Sequence, residues 1–216
     1  MKFTCKQQTL SNALGTVSKA VSTRTTLPVL KGILIEADTD GTITLSASDL
    51  DISIRRKIEA DVEEPGSAVV ASTLFGDIVR KLPNEMILIE AGDENSVLIK
   101  TSSSEFNVIG LSVEDFPQIK DNKEIINRLT FSCETFKDMV RKTAFAASVE
   151  EAKGILTGIL TEITPGNVRM VALDGFRLAL SNEPVEIGTE ESFIITARIM
   201  NEISKIISDD NDAEDM

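Results

Sequence analysis

A chain of 216 residues, 42% of them apolar, is long enough for one large domain or two small ones and can pack a core. Its net charge of −13, taken alone, argues against nucleic acid, and the lack of histidine excludes His-based triads, Cys–His dyads and His metal sites. The lone cysteines Cys5 and Cys133 form neither a disulfide framework nor a zinc site, both Gly-rich phosphate motifs are missing, and no run suits a membrane span or signal peptide, so a cytoplasmic protein without cofactor or metal is expected.

In chain order, apolar alternation predicts a strand over 2–6, a helix over 9–21, and strands over 32–37, 42–48 and 52–60. Leu10, Ala13, Leu14, Val17 and Val21 give that helix one apolar face. A strand over 67–71 leads to a helix over 73–82, which Ser72 or Thr73 can cap and Pro83 closes. Strands over 86–91, 96–101 and 105–111 follow. The order is βαβββ, used twice, an α+β pattern with helices on one face of antiparallel sheets. Further on, strands are predicted over 129–133, 157–163, 167–173, 176–181 and 192–196, with helices over 135–148 and 197–207.

The second stretch repeats the first. Phe3-Thr4-Cys5 matches Phe131-Ser132-Cys133, and Gly32-Ile33-Leu34-Ile35-Glu36 matches Gly158-Ile159-Leu160-Thr161-Glu162. Ala47-Ser48-Asp49 matches Ala172-Leu173-Asp174, and SAVVASTLFGDIVRKL at 67–82 matches SFIITARIMNEISKII at 192–207. Residues 1–116 therefore read as one complete domain, 117–128 as a linker and 129–216 as a second copy. Three strands that end the first copy have no counterpart after 207, so a chain cut inside its second domain is expected, the rival being a natural domain with an acidic tail, and disorder is expected after about residue 208.

Residues 172–180, ALDGFRLAL, place Asp174-Gly175 at the junction of two paired strands, where Asp49 stands in the first copy. Asp-Gly between strands is a hairpin signal, and a catalytic Asp would need an acid, base or metal that this motif does not supply. Charge is unevenly spread: the predicted helices have a basic surplus, while strands, loops and the C-terminal SDDNDAEDM are acidic. Helices lined up on one side would therefore face a polyanion.

Taken together, MKFTC, TRTTLPVLKGILIEA at 23–37, LSASDLDISI at 45–54, VRKLP at 79–83, DFP at 115–117 and ALDGFRLAL resemble the bacterial sliding clamps, the β subunits of DNA polymerase III. The resemblance implies a DNA-clamp fold of tandem βαβββ domains. In the full-length family protein, three such domains per subunit form a head-to-tail homodimeric ring that encircles duplex DNA without reading it and makes or breaks no bond. The third domain would be absent here. Partners implied are double-stranded DNA and the polymerase and clamp-loader subunits, held through short peptide motifs, with no membrane.

Residue by residue, Arg24 and Arg198 match family positions that face DNA, with Lys19, Arg80, Lys137, Arg141, Lys142 and Lys205 as further lining charges. The loop SVEEAKGIL at 148–156 matches a DNA-touching loop but carries Glu150, Gly154 and Ile155 at its contact positions, leaving Lys153 as a partial replacement. Leu156, Leu173, Gly175, Phe176, Arg177 and Leu178 match one wall of a cleft for apolar partner peptides, and Phe106 and Val108 match the dimer edge. Two other readings stay open: an acidic protein–protein interaction module without a DNA role, which predicts scattered basic helices, and a hydrolase using Glu150 and Glu151 or Asp49 and Asp51.

Overall fold

The computed structural model describes residues 1–22, 25–119, 132–186, 188 and 190–210, and the chain divides into two compact units, Met1–Asp121 and Asn122–Met216. In the first unit, β1 (Lys2–Lys6) turns Phe3 and Cys5 inward and leads directly into α1 (Gln7–Val17). The strands β2 (Gly32–Ala37), β3 (Thr42–Ser48), β4 (Ser53–Glu59), β5 (Asp61–Glu64) and β6 (Gly66–Ala71) follow, then α2 (Ser72–Lys81), β7 (Met86–Ala91), β8 (Ser96–Lys100) and β9 (Glu105–Ile109).

These strands form two antiparallel sheets, ordered β5-β1-β7-β8-β9 and β4-β3-β2-β6. The two βαβββ halves interlock, because each lends its first strand to the other's sheet. Thus β1 pairs with β7 (Phe3 opposite Ile89) and β6 pairs with β2 (Ala68 opposite Ile35). The helices lie antiparallel: Gln7 Nε2 at the start of α1 donates to the Val79 carbonyl near the end of α2 at 2.7 Å, and the Ser18 and Ser72 hydroxyls meet at 3.1 Å at the opposite ends. One core joins both sheets and both helices through Phe3, Leu10, Ile35, Leu45, Phe75 and Ile89. Ser72 is thus the first residue of α2 rather than its cap, its hydroxyl being turned to Ser18.

The strand expected over 52–60 is two. β4 stops at Glu59, the Ala60 amide donates to the Gly41 carbonyl, and β5 crosses to the other sheet to pair with β1. Periodicity does not reveal β5, since Asp-Val-Glu-Glu contains a single apolar residue. α1 is also shorter than the helix expected over 9–21, because residues Ser18–Ala20 tighten into a 3-10 turn.

In the second unit, α3 (Cys133–Thr143) starts from a Ser132 cap whose hydroxyl accepts from the Thr135 amide at 3.0 Å. It is followed by β10 (Gly158–Thr164), β11 (Asn167–Leu173), β12 (Leu178–Pro184), β13 (Glu191–Thr196) and α4 (Ala197–Asp210). The sheet order β12-β11-β10-β13 is that of β4-β3-β2-β6, over a core of Met139, Val140, Ile159, Ile163, Met170 and Met200. Most of the strand expected over 129–133 and the residues after 210 lie outside the described residues, and Cys133 is helical. The match of Phe3-Thr4-Cys5 to Phe131-Ser132-Cys133 is therefore out of step by two. Helices starting at Gln7 and Cys133, 3-10 turns at Ser18–Ala20 and Ala144–Ala146, and strands starting at Gly32 and Gly158 share one spacing. The same spacing relates the hydrogen bond from the Ser22 amide to the Leu30 carbonyl to that from Ser148 to Leu156.

A further apolar cluster covers the outer face of the first unit's four-stranded sheet. Leu111, Val113, Phe116 and Ile119 pack on Val29, Leu30, Leu34 and Val69. The Leu111 amide donates to the Val69 carbonyl at 2.8 Å, and Arg55 Nη2 donates to the Ile119 carbonyl. The expected linker 117–128 thus begins with residues that belong to this cover. At its entry, a Cβ on Gly110 would lie 2.4 Å from the Val69 carbonyl oxygen, an atom fixed by the sheet. Gly110→Ala is expected to destabilise the first unit by about 1–3 kcal/mol, read as a lower denaturant midpoint with an unchanged slope.

Candidate nucleic-acid interface and peptide cleft

The paired helices turn one face to the core and leave a shallow groove on the other. Between α1 and α2 this groove is lined by Ser11, Gly15, Ser18, Gly76 and Arg80. Between α3 and α4 the matching positions carry Lys137, Arg141, Ala144 and Asn201, with Glu134 and Asp138 beside them. The fold therefore brings Lys137 and Arg141 together in the second unit, while the first presents small residues at the same places. α1 contains no Lys or Arg, since Lys19 falls in the 3-10 turn beyond it.

The cations are engaged locally. Arg80 pairs with Asp77 and donates through Nε to the Gly76 carbonyl, and Lys205 pairs with Glu202 at 2.7 Å, the same i,i+3 arrangement at matching positions of the two units. Arg141 and Lys142 share Asp138, and Lys142 also approaches Glu183 at 3.5 Å. These partners hold the Asp138 carboxyl below the usual carboxylate range and raise the Lys142 ammonium. Such exposed pairs contribute little to stability, so each cation is free to exchange its carboxylate for a phosphate. The basic surplus expected on the helices is smaller than the sequence boundaries implied: α3 takes in Glu134, and α4 runs on through Asp209 and Asp210. Arg198 stands in the first turn of α4, and Arg24 lies outside the described residues.

Asp174 is a turn residue. Its Oδ1 accepts from the Phe176 amide at 2.9 Å and the Arg177 amide at 3.1 Å, and Gly175 takes φ +97°. Asp49 does the same in the first unit, accepting from the Asp51 and Ile52 amides, with Leu50 held at φ +79°. The carboxylates proposed for hydrolysis are thus structural at Asp49, and Glu150 is paired with Lys153 at 3.4 Å. Asp174 Oδ2 also accepts from Arg177 Nε at 2.9 Å, so the guanidinium meets a ligand only through its remaining nitrogens. The two backbone amides, more than Arg177, hold the Asp174 carboxyl below its ordinary range.

This turn projects Phe176, 93% exposed, and Leu178, while Leu173 pairs across the hairpin with Leu178. The 148–156 loop and the turn meet: Lys153 lies over the Phe176 ring at 5.7 Å, and Arg177 over the Phe145 ring at 6.0 Å. Two stretches that the sequence separates thus share one surface. Phe145 was hidden in the expected helix 135–148; the helix ends at Thr143, and the following 3-10 turn leaves the ring exposed. Leu156 is half-buried, Phe106 is 40% exposed on the edge strand β9, and Val108 is packed in the core. Among the described residues no group of His, Cys, Asp and Glu is arranged to hold a metal ion, and no helix is long and apolar enough to cross a membrane.

Tandem antiparallel modules with paired helices and matching sheet order define an α+β clamp architecture. Residues 1–120 match the family model described as DNA polymerase III beta subunit, N-terminal domain, and residues 130–215 match its central domain. The beta sliding clamp of Bacillus subtilis is 34% identical over all of this chain and 59% of its own length; that of Halalkalibacterium halodurans is 35% identical over all of this chain and 60% of its own. The crystal structure of the DNA polymerase sliding clamp from Bacillus subtilis superposes with a TM-score of 0.90 at 33% identity, over 95% of this chain and 56% of that one. The chain belongs to the DNA polymerase III beta subunit family, the sliding clamps, and spans about 60% of the length of these curated relatives.

Removing the Asp174 carboxylate by Asp174→Ala is expected to lower the melting temperature, and Asp174→Asn, which keeps an acceptor oxygen, to lower it less. Because the folded carboxyl titrates below its unfolded value, the stability it supplies is present above the ordinary carboxylate pKa of about 3.9 and is lost as pH falls through the depressed folded value. Wild type and Asp174→Asn should therefore converge in melting curves taken into that acidic window.

Proposed function

We propose that this chain acts as part of a sliding clamp, a non-catalytic processivity subunit that encircles duplex DNA in the cytoplasm and tethers polymerase and clamp-loader partners to it. The observation that carries the reading is the α3/α4 groove, where Lys137 and Arg141 line the face turned away from the core in a chain matched along its length by clamp relatives. Arg24, Arg198, Lys19, Arg80, Lys142, Lys153 and Lys205 are assigned as supporting phosphate contacts. Exposed, locally paired cations suit sliding, because they exchange partners without a deep minimum at any base sequence. Leu156, Leu173, Gly175, Phe176, Arg177 and Leu178 are assigned to a cleft wall for apolar peptides, and the edge strand β9 at Phe106 and Val108 to pairing with a second subunit. Residues 1–116 and 129–216 act as successive clamp domains joined by 117–128.

Duplex binding measured by fluorescence anisotropy across a salt series tests the polyanion interface. Weak binding, indifferent to base sequence and falling with salt, is expected, and Lys137→Ala should reduce the slope of log K against log salt by about 1. Binding that ignores both salt and Lys137 would favour the acidic interaction module instead.

A further inference from the structure

The repeat sets α1 against α3, and the same positions carry different chemistry in the two helices. With Leu14 matched to Val140, the charged residues Glu134, Lys137, Asp138, Arg141 and Lys142 of α3 stand where α1 has Gln8, Ser11, Asn12, Gly15 and Thr16. Acids and bases thus enter the second unit as one set. Asn12 is engaged within its helix without charge, its Oδ1 accepting from Gln8 Nε2 at 2.9 Å. Glu134, which matches Gln8, has no proton to give Asp138, and two carboxylates one turn apart on a helix repel. Asp138 is held from the other side instead, one oxygen by Arg141 Nη2 and the other by Lys142 Nζ. Asp138 and Arg141 both line the α3/α4 groove, where the Arg141 side chain is 77% exposed. Exposed pairs add little stability, so the helix gains little from an acid at this place. The acid accompanies the cation: a base with an acid three residues before it recurs at Asp77–Arg80 and Glu202–Lys205, and α1, which has no cation, has no acid.

We propose that Asp138 sets the affinity of the α3/α4 groove for DNA: its carboxylate stands in for a phosphate on Arg141 and Lys142 in the free chain and gives them up when a duplex enters. The inference rests on the duplex-binding reading and adds to it the group that keeps such binding weak. A cation that moves onto the DNA backbone displaces condensed counterions, but the carboxylate it leaves behind takes a counterion back from solution. The net release of salt is therefore smaller than the number of cations in contact. Lys137 makes no ion pair among the described residues, so its contact carries no such offset. Glu183 stays 3.5 Å from Lys142 whatever stands at 138, so Arg141 is the cation that loss of the Asp138 carboxylate sets free.

The test is binding of a labelled duplex by the intact chain across a salt series, comparing wild type with Asp138→Asn and Glu134→Gln. Asn is the residue that α1 carries at the matching position, so the helix accommodates it, and melting curves report that both variants fold; Asp138→Ala serves as a second removal of the carboxylate. Glu134→Gln takes an equal charge from the same groove but frees no cation, since Glu134 holds no ion pair among the described residues. Asp138→Asn is expected to tighten binding about tenfold at about 50 mM salt and to steepen log K against log salt by about 1. Glu134→Gln should tighten it by no more than about threefold and leave the slope unchanged. In an Arg141→Gln background the effect of Asp138→Asn should fall to that of Glu134→Gln. Duplex binding by wild type that Asp138→Asn leaves unchanged, or that Glu134→Gln strengthens equally, overturns the inference while the duplex reading stands. No binding by wild type or any variant at the lowest salt overturns the duplex reading and the inference with it.

Discussion

The pairing of β2 with β6, and of β10 with β13, is the contact on which both units are built. It brings the strand before the second helix beside the strand after the first, which places both helices on one side of the sheet. Each pairing closes over a glycine. A Cβ on Gly32 would lie 2.6 Å from Val69 Cγ1, and one on Gly158 would lie 2.2 Å from Ile194 Cγ2. The β-branched neighbour leans across the glycine in both copies, so the close approach is a property of the repeated unit and not an accident of one sequence. Core residues then fall at matching positions, Leu14 with Val140 and Phe75 with Met200, although the side chains differ.

On that shared frame the two units have taken different surface chemistry. The groove between helices carries small residues over much of its length in the first unit, with Ser11, Gly15 and Gly76, and mixed charge in the second, where Lys137 and Arg141 stand beside Glu134 and Asp138. The strand-turn junction is closed by an aspartate in both, yet only the second projects Phe176 and an adjoining Phe145. Positions that carry the fold are held by packing and by backbone hydrogen bonds. Side chains lining the groove and exposed at the tip of the turn, such as Lys137 and Phe176, are held by neither, which leaves them open to a second use.

Charge behaves in a similarly local way. A molecule with a net charge of −13 is an unpromising ligand for a polyanion, but charges separated by more than a Debye length are largely screened from one another. Cations on one helix face act over a short range, and their carboxylate neighbours moderate that field without removing it. The i,i+3 pairs Asp77–Arg80 and Glu202–Lys205 place an acid one turn from a base in both units. In the proposed clamp role, this arrangement would keep contact with phosphate weak.

The sequence by itself determined the repeat, nearly every strand and the nature of Asp174, because these depend on local periodicity and on a turn that only certain residues close. Its boundaries failed where local signals compete. β5 has too few apolar residues to show a period, the ends of α1 and α3 tighten into 3-10 turns, and the Phe-Thr-Cys match was drawn by similar letters two residues out of step. Only the tertiary structure decided that each half lends its first strand to the other's sheet, since strand pairing is set by contacts distant in the chain. It alone brought Lys153 onto Phe176 and Arg177 onto Phe145, and it alone buried Val69 while leaving Ile194 exposed. The two side chains occupy the same place in the same pattern, and what distinguishes them is the segment 111–119, which crosses the first unit's face and has no counterpart among the described residues of the second.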